Sequence, residues 1–193
     1  MKTTEPQFTP PEQEAIKAFE REAYQEAFQR FTNLSQQGSP LADFYLGWML
    51  KEGRGTARDL DSAKRFFERS AAAGTIESMH YLGTIAKLAG STKQALSHYE
   101  KAATAGYLPA MYAAGRILVD GDGVPVDVVG GRQLLEQAMA GGHVFAMRKL
   151  AGLMLAGKLG ARLVPKGLLM LFIAILRGML LAMRDVRDDR LKG

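Results

Sequence analysis

Apolar and polar positions along the chain alternate at helical spacing, in short segments that glycine or polar loops separate. The second of two neighbouring segments usually carries charged residues on one side and small or apolar residues on the other, as in residues 63–74 and 95–106. This pattern predicts consecutive amphipathic helices and an all-α fold.

A glycine followed four residues later by a small residue marks an internal repeat. The glycines of this frame are Gly38, Gly74, Gly106, Gly142 and Gly178, with spacings of 36, 32, 36 and 36 residues. One helix pair cannot bury its apolar face alone, so a helical repeat of this size predicts stacked antiparallel helix pairs, which form an α-solenoid.

The first helix of each copy carries glycine or alanine at one interior position, occupied by Gly47, Gly83, Gly115 and Ala151. Interior glycine costs about 1 kcal/mol relative to alanine, so we expect a neighbouring backbone to approach closely there. Glycine-rich loops at residues 53–55, 121–123 and 157–160 are predicted to end these helices with positive φ. The second copy has no such loop, and Asp59 and Asp127 are predicted to cap the helices that follow.

The repeat frame sets the expected domain organisation. Four copies lie near residues 42–74, 78–106, 110–142 and 146–178, after an N-terminal half-repeat near 23–38, within a solenoid over residues 11–182. Residues 1–10 are expected to be flexible, although Thr9 followed by two prolines resembles a helix start. Residues 182–193 are expected to form a polar capping helix and tail, because Arg187 occupies the slot where the repeat has glycine.

Over roughly residues 23–182 the copies resemble the Sel1-like repeat, a branch of the tetratricopeptide superfamily. The family pattern runs Ala-x-x-x-Leu-Gly, Gly-x-Gly-Val-x-x-Asp, then Ala and a closing Ala-Ala-x-x-Gly. The matching residues are Ala42, Leu46, Gly47, Gly53, Gly55, Asp59, Ala63, Ala71, Ala72 and Gly74, and then Ala110, Gly115, Gly121, Gly123, Val124, Asp127, Ala138 and Gly142. The resemblance implies a bacterial adaptor or scaffold without catalytic residues.

Composition narrows the function classes without naming a partner. The chain has no cysteine, which excludes disulfides and thiolate chemistry, and its N-terminus lacks the apolar run of a secretory signal. We therefore expect a cytoplasmic protein. The net charge of +5 is uneven, because ten Lys/Arg and only three Asp follow His143.

The sequence contains no recognisable constellation for catalysis or cofactor binding. The glycine loops lack the Gly-Lys-Ser/Thr of a phosphate-binding loop, and His80, His98 and His143 each stand alone without acidic residues at metal-ligand spacing. Basic residues do not interleave with aromatic ones, which argues against nucleic-acid binding. The prediction is a protein with no enzyme activity, cofactor or metal.

Positions that vary between copies are candidates for binding. On the first helices these are Tyr45, Trp48, Tyr81, Arg116 and Lys149, which we expect on a concave wall suited to a peptide with an apolar anchor and an acidic part. The alternative is that Trp48 only packs on the N-terminal helix.

The fourth copy departs from the others on the face of its second helix that is otherwise polar. Leu168, Leu169, Phe172 and Ile173 replace charged and polar residues there. An exposed apolar stripe marks an interface or a membrane contact. The favoured prediction is burial against protein: a partner, a second copy in a homodimer, or the chain's own C-terminal segment.

Two membrane alternatives remain for the apolar segment of residues 167–183. Residues 167–183 are short for a bilayer span and include Arg177. A surface helix that uses Lys166, Arg162, Arg177, Arg184 and Arg187 to meet anionic lipid would make the chain a peripheral accessory protein at the inner face of the membrane.

Overall fold

The protein is described by a computed structural model that covers residues 8–173, 175, 176 and 179. Within these residues all regular secondary structure is helical, as predicted, and short connections join the helices. The helices are α1 (Pro10–Glu20), α2 (Tyr24–Gln36), α3 (Pro40–Glu52), α4 (Leu60–Ala72), α5 (Ile76–Leu88), α6 (Thr92–Thr104), α7 (Leu108–Asp120), α8 (Val128–Ala140), α9 (Val144–Leu155), a 3₁₀ turn (Ala161–Leu163), and α10 (164–173), with residues 175, 176 and 179 also helical.

The chain divides into two compact units, Met1–His98 and Tyr99–Gly193. In the first unit α1 pairs with α2, α3 pairs with α4, and α5 packs on α4. Phe31, Leu46, Met49 and Phe67 are fully buried and form the centre of its core.

The N-terminal half-repeat has a first helix after all. Helix α1 begins after Thr9, whose backbone N–H and hydroxyl each donate to the Glu12 carboxylate at 2.9 Å. Ala15 and Ala18 are buried in the cluster shared with α2 and α3. Helix α1 does not fit the repeat pattern because it lacks the Ala-x-x-x-Leu-Gly sequence and packs through Ala15 and Ala18 instead.

In the second unit α7 pairs with α8, and α9 packs on α8. The fully buried side chains Ile117, Leu135 and Leu150 come from these three helices. The cluster around Leu135 and Leu150 also includes Met170 of α10, and Leu163 and Leu171 pack against it. The core of this unit therefore continues into α10.

Loop glycines and aspartates perform the predicted roles at helix ends. Gly53 and Gly121 are left-handed C-caps of α3 and α7, with φ of 71° and 67°. Asp59 accepts hydrogen bonds from the backbone N–H groups of Asp61 and Ser62 at 3.0 Å, and Asp127 accepts one from Gly130 at 2.8 Å. In the loops after α3 and α7, a glycine therefore ends one helix and an aspartate caps the next.

Helix α10 repeats a close helix–helix contact of the preceding copy. A Cβ atom on Gly131 of α8 would lie 2.8 Å from the carbonyl oxygen of Gly115, and a Cβ on Gly167 of α10 would lie 3.1 Å from that of Ala151. Both glycines and both carbonyls are 36 residues apart. Helix α10 therefore meets α9 at the position where α8 meets α7, in phase with the repeat.

Candidate interaction surfaces

Tyr45 and Trp48 of α3 are half-buried against aromatic side chains of the neighbouring helices. The Tyr45 ring stacks on Phe31 with centroids 4.5 Å apart, and Phe19 of α1 meets the Trp48 ring edge-on at 5.1 Å. Burial raises the pKa of the Tyr45 hydroxyl, and the nearby Glu20 carboxylate adds to this effect. Trp48 thus packs on the N-terminal helix and is half-buried there.

Tyr81 of α5 repeats the Tyr45 arrangement one copy later. Its ring stacks on Phe67 with centroids 5.0 Å apart. Burial raises the pKa of Tyr81, and the Glu52 and Glu77 carboxylates raise it further. The candidates Tyr45, Trp48 and Tyr81 therefore form one fixed aromatic surface in the first unit, with acidic neighbours.

Arg116 and Lys149 belong to the second unit and differ in their surroundings. The Lys149 ammonium lies 2.7 and 2.8 Å from the two carboxylate oxygens of Asp120, so its charge is largely neutralised. Arg116 is exposed and forms no ion pair within the described part of the chain. Lys149 also lines a shallow cleft of about 240 Å³ with Arg148 and Leu153.

Three of the four apolar residues singled out on α10 are exposed. Leu168 is 58% exposed, Leu169 60% and Phe172 65%. Ile173 is an exception, because it is half-buried and packs against the core cluster of the second unit. Neighbouring side chains on a helix point about 100° apart, so Ile173 points away from the face of Phe172 and toward α9.

The exposed face is longer than the sequence comparison indicated. Ile175, Leu176 and Met179 are also about half exposed. We call the six residues Leu168, Leu169, Phe172, Ile175, Leu176 and Met179 the apolar stripe. The comparison missed the last three because it aligned only the positions that are charged or polar in the earlier copies.

Cations flank the apolar stripe on the side where α10 begins. Lys158, Arg162 and Lys166 are all exposed, and none forms an ion pair with another residue that the structure describes. The start of α10 therefore combines exposed apolar side chains with cations that have no ion-pair partner among the described residues.

Several predicted features fall outside the described residues or are absent from them. The capping segment 182–193, Arg177, Arg184 and Arg187 lie outside. Among the residues described, no helix is both long and apolar enough to cross a bilayer. No group of His, Asp or Glu in residues 8–173 is arranged to hold a metal ion.

Comparison with known proteins places these helix pairs in a family. The Sel1 repeat profile matches residues 40–75, 76–107 and 108–143, which together make up more than half of the chain. No protein of curated function matches the sequence.

Three solved structures of similar fold illustrate the likeness. A Sel1 repeat protein from Oxalobacter formigenes superimposes with a TM-score of 0.77 at 17% identity, over 89% of this chain and 70% of that one. The protective antigen c5321 of uropathogenic Escherichia coli, described as an SLR fold, gives 0.68 at 23% identity over 80% of this chain and 34% of its own length. MamA gives 0.61 at 15% identity, over 88% and 96%. The chain is an α-solenoid and belongs to the Sel1 repeat family.

Proposed function

We propose that this protein is a non-catalytic scaffold that binds protein partners, with the apolar stripe of α10 as its main docking surface. The observation that carries the proposal is the exposure of six large apolar side chains on α10 and the helical residues 175, 176 and 179, while Met170 and Leu171 of α10 pack in the core of the second unit. Soluble proteins rarely leave such a contiguous patch uncovered, and covered patches of this kind are interfaces.

The first partner to test is a second copy of the chain. A homodimer through α10 would bury the apolar stripe of one protomer against that of the other. Analytical ultracentrifugation of the full chain over a range of concentrations measures this association directly.

The decisive substitution for the docking surface is Phe172→Asp. Phe172 is the most exposed residue of the stripe, so the charge should abolish docking and leave the far-ultraviolet circular dichroism spectrum unchanged. Val129→Asp is the matched control, because Val129 is 69% exposed in the same unit and lies outside the stripe. Equal effects of the two substitutions on association would contradict the assignment.

A second binding surface is proposed around Tyr45, Trp48 and Tyr81. Their rings are held by stacking contacts and would lose little side-chain freedom on binding, which suits an anchor residue of an extended peptide. In the second unit, Arg116 and Lys149 are proposed separately as contacts for acidic residues of a partner, with Arg116 the stronger contributor because Asp120 already pairs with Lys149.

The only tryptophan of the chain reports on this aromatic surface. Binding of a peptide there should shift the fluorescence of Trp48, whereas binding at the apolar stripe should leave it unchanged. Tyr81→Ala removes one ring of the surface and should weaken the peptide at least about tenfold, as expected for loss of an aromatic anchor. An unchanged affinity would remove the aromatic surface from the proposal.

The alternative function is a peripheral membrane accessory protein, and the cations beside the stripe favour it. Lys158, Arg162 and Lys166 would attract anionic headgroups while Leu168 and Phe172 enter the acyl boundary. In this case the protein would act at the inner face of the cytoplasmic membrane. Cosedimentation with phosphatidylserine vesicles that is lost in high salt, and lost again with Phe172→Asp, would support it.

A further inference from the structure

We infer that the occupant of the apolar stripe is an amphipathic helix of a partner protein that carries acidic residues beside its apolar seam. This inference rests on the proposed docking function of α10 and specifies the chemistry of the partner. Three features of the second unit lead to it: the spacing of the exposed residues, the charge around them and the width of the surface.

The spacing of the exposed residues matches helix-to-helix packing. Leu168, Phe172, Ile175 and Met179 follow each other at intervals of four, three and four residues, with Leu169 and Leu176 beside them. Alternating steps of four and three are the seam along which one helix receives the side chains of another. The stripe therefore offers a seam of about three turns to one partner helix.

The chain segment that carries the stripe has charged residues of a single sign. No Asp or Glu occurs between His143 and Arg184, whereas six Lys/Arg do, and Lys158, Arg162 and Lys166 are exposed at the start of α10. Opposite charges at the rim of an apolar interface speed association and select the partner, and like charges disfavour it. Carboxylates beside the seam of the incoming helix are the complement of this arrangement.

The same charge makes a second copy a poor occupant. Its residues 143–184 would bring only cations to the contact, since that segment has no acidic residue in either protomer. Six side chains that are about half exposed contribute on the order of 600 Å² per protomer, which is at the lower limit for a specific interface. Burial of this apolar area in a homodimer would contribute too little free energy to offset the repulsion between the cations of the two protomers.

The width of the surface favours a helix over a bilayer. Among the described residues the apolar stripe lies on α10 and the helical residues 175, 176 and 179, while the exposed positions of α8 include the polar side chains Gln133 and Gln137 as well as Val129. A seam one helix wide fits a second helix, whereas insertion at a membrane surface benefits from a broad apolar face.

The test uses three synthetic peptides, each three heptads long, titrated against the full chain by fluorescence anisotropy. Two have the same Leu/Ile seam and carry either Glu or Lys beside it, and the third is a scrambled form of the Glu peptide that has no seam. We expect the Glu peptide to bind at least about tenfold more tightly than the other two, with an affinity that falls as salt rises. The triple variant Lys158→Glu, Arg162→Glu, Lys166→Glu should reverse the preference, and Phe172→Asp should abolish it.

The outcomes separate the failure of this inference from failure of the docking surface. Equal binding of the Glu and Lys peptides would overturn the acidic partner and leave the docking surface standing. No binding by either seam peptide, together with no effect of Phe172→Asp on any association, would overturn both. A dimer that the peptides cannot displace, or tighter binding to phosphatidylserine vesicles than to the Glu peptide, would replace the acidic helix by a second copy or by lipid.

Discussion

Single residues decide how closely the helices of this solenoid approach each other. Gly115 lies in the interior of α7, where a Cβ would come within 2.8 Å of the Gly131 carbonyl oxygen and 2.9 Å of the Leu135 side chain. Gly152 lies in the interior of α9, and a Cβ there would meet no atom within 4 Å. Both glycines lie within helices, but Gly115 is tightly packed against α8 and Gly152 faces open space.

Alanine substitution should therefore change stability in opposite directions at these two positions. Gly152→Ala gains helix propensity without a clash and should raise the free energy of unfolding by about 1 kcal/mol. Gly115→Ala must push a neighbouring backbone away and should lower it by about 1 to 3 kcal/mol. Urea denaturation of both variants measures the difference, and a stabilising Gly115→Ala would contradict the close-contact role of this glycine.

A second residue-scale feature is the histidine cap of α9. His143 Nδ1 accepts a hydrogen bond from the Ala146 backbone N–H at 3.2 Å, and its ring stacks on Tyr112 with centroids 4.8 Å apart. Burial lowers the pKa of His143 below its ordinary value of 6.5. Protonation would remove the accepting lone pair and place a charge at a helix N-terminus, where the dipole is unfavourable to cations.

Stability should consequently fall as the pH is lowered through the His143 transition. Because the folded-state pKa lies below 6.5, the unfolded chain takes up the proton first, so stability begins to fall near pH 6.5 and levels off below the folded-state pKa. His143→Asn keeps an accepting cap that does not titrate, and it should remove this part of the pH dependence. Thermal unfolding of both proteins between pH 7.5 and pH 5 tests it, and identical profiles would exclude His143 as the cause.

At the scale of elements, a buried polar network connects the second helix of one copy to both helices of the next. Asp43 of α3 is only 4% exposed, and its carboxylate accepts a hydrogen bond from the Ser35 hydroxyl of α2 at 2.6 Å. The Arg69 guanidinium of α4 lies 3.1 Å from the same carboxylate and also donates to the Ser35 carbonyl oxygen at 3.2 Å. Three helices thus share one charged group that is shielded from water.

Removal of this carboxylate should cost more than loss of an exposed ion pair. Asp43→Ala should lower the free energy of unfolding by about 2 to 4 kcal/mol, because the Ser35 hydroxyl loses its buried acceptor and the charge-assisted bond is lost. Asp120→Ala, which breaks the partly exposed pair with Lys149, is the control and should cost about 1 kcal/mol or less. Equal losses in urea denaturation would show that the network contributes nothing beyond a surface pair.

On the scale of the whole molecule, most of the large exposed apolar side chains that the structure describes lie in the second unit. Phe145, Val126 and Val129 are exposed there in addition to the apolar stripe, whereas the large exposed apolar residues of the first unit are Phe8 and Leu88. A solenoid presents each copy at a separate place along its length, so one copy can specialise in binding while the others preserve the stack.

Binding at the stripe should appear as added stability of the full chain. A ligand that binds only the folded state, at about 100 times its dissociation constant, adds about 2.7 kcal/mol, which for a chain of this size raises Tm by roughly 5 to 10 °C. The Glu-flanked seam peptide should produce this shift in low salt, and the scrambled peptide should not. A shift that persists in the Phe172→Asp variant would mean that the peptide binds elsewhere.

The amino-acid sequence by itself determined the repeat, because helix periodicity, the glycine loops around Gly53 and Gly121, and the caps Asp59 and Asp127 are local signals. It also identified the fourth copy as anomalous, since its apolar face replaces polar residues of the other three. The tertiary structure decided which side chains of that face are covered: Ile173 packs on the core and Ile175 does not, although both are isoleucine. It likewise placed Tyr45 and Tyr81 on Phe31 and Phe67 and buried the carboxylate of Asp43. These outcomes depend on the rotation of each helix against its neighbours, which side chains distant in sequence fix jointly when they pack.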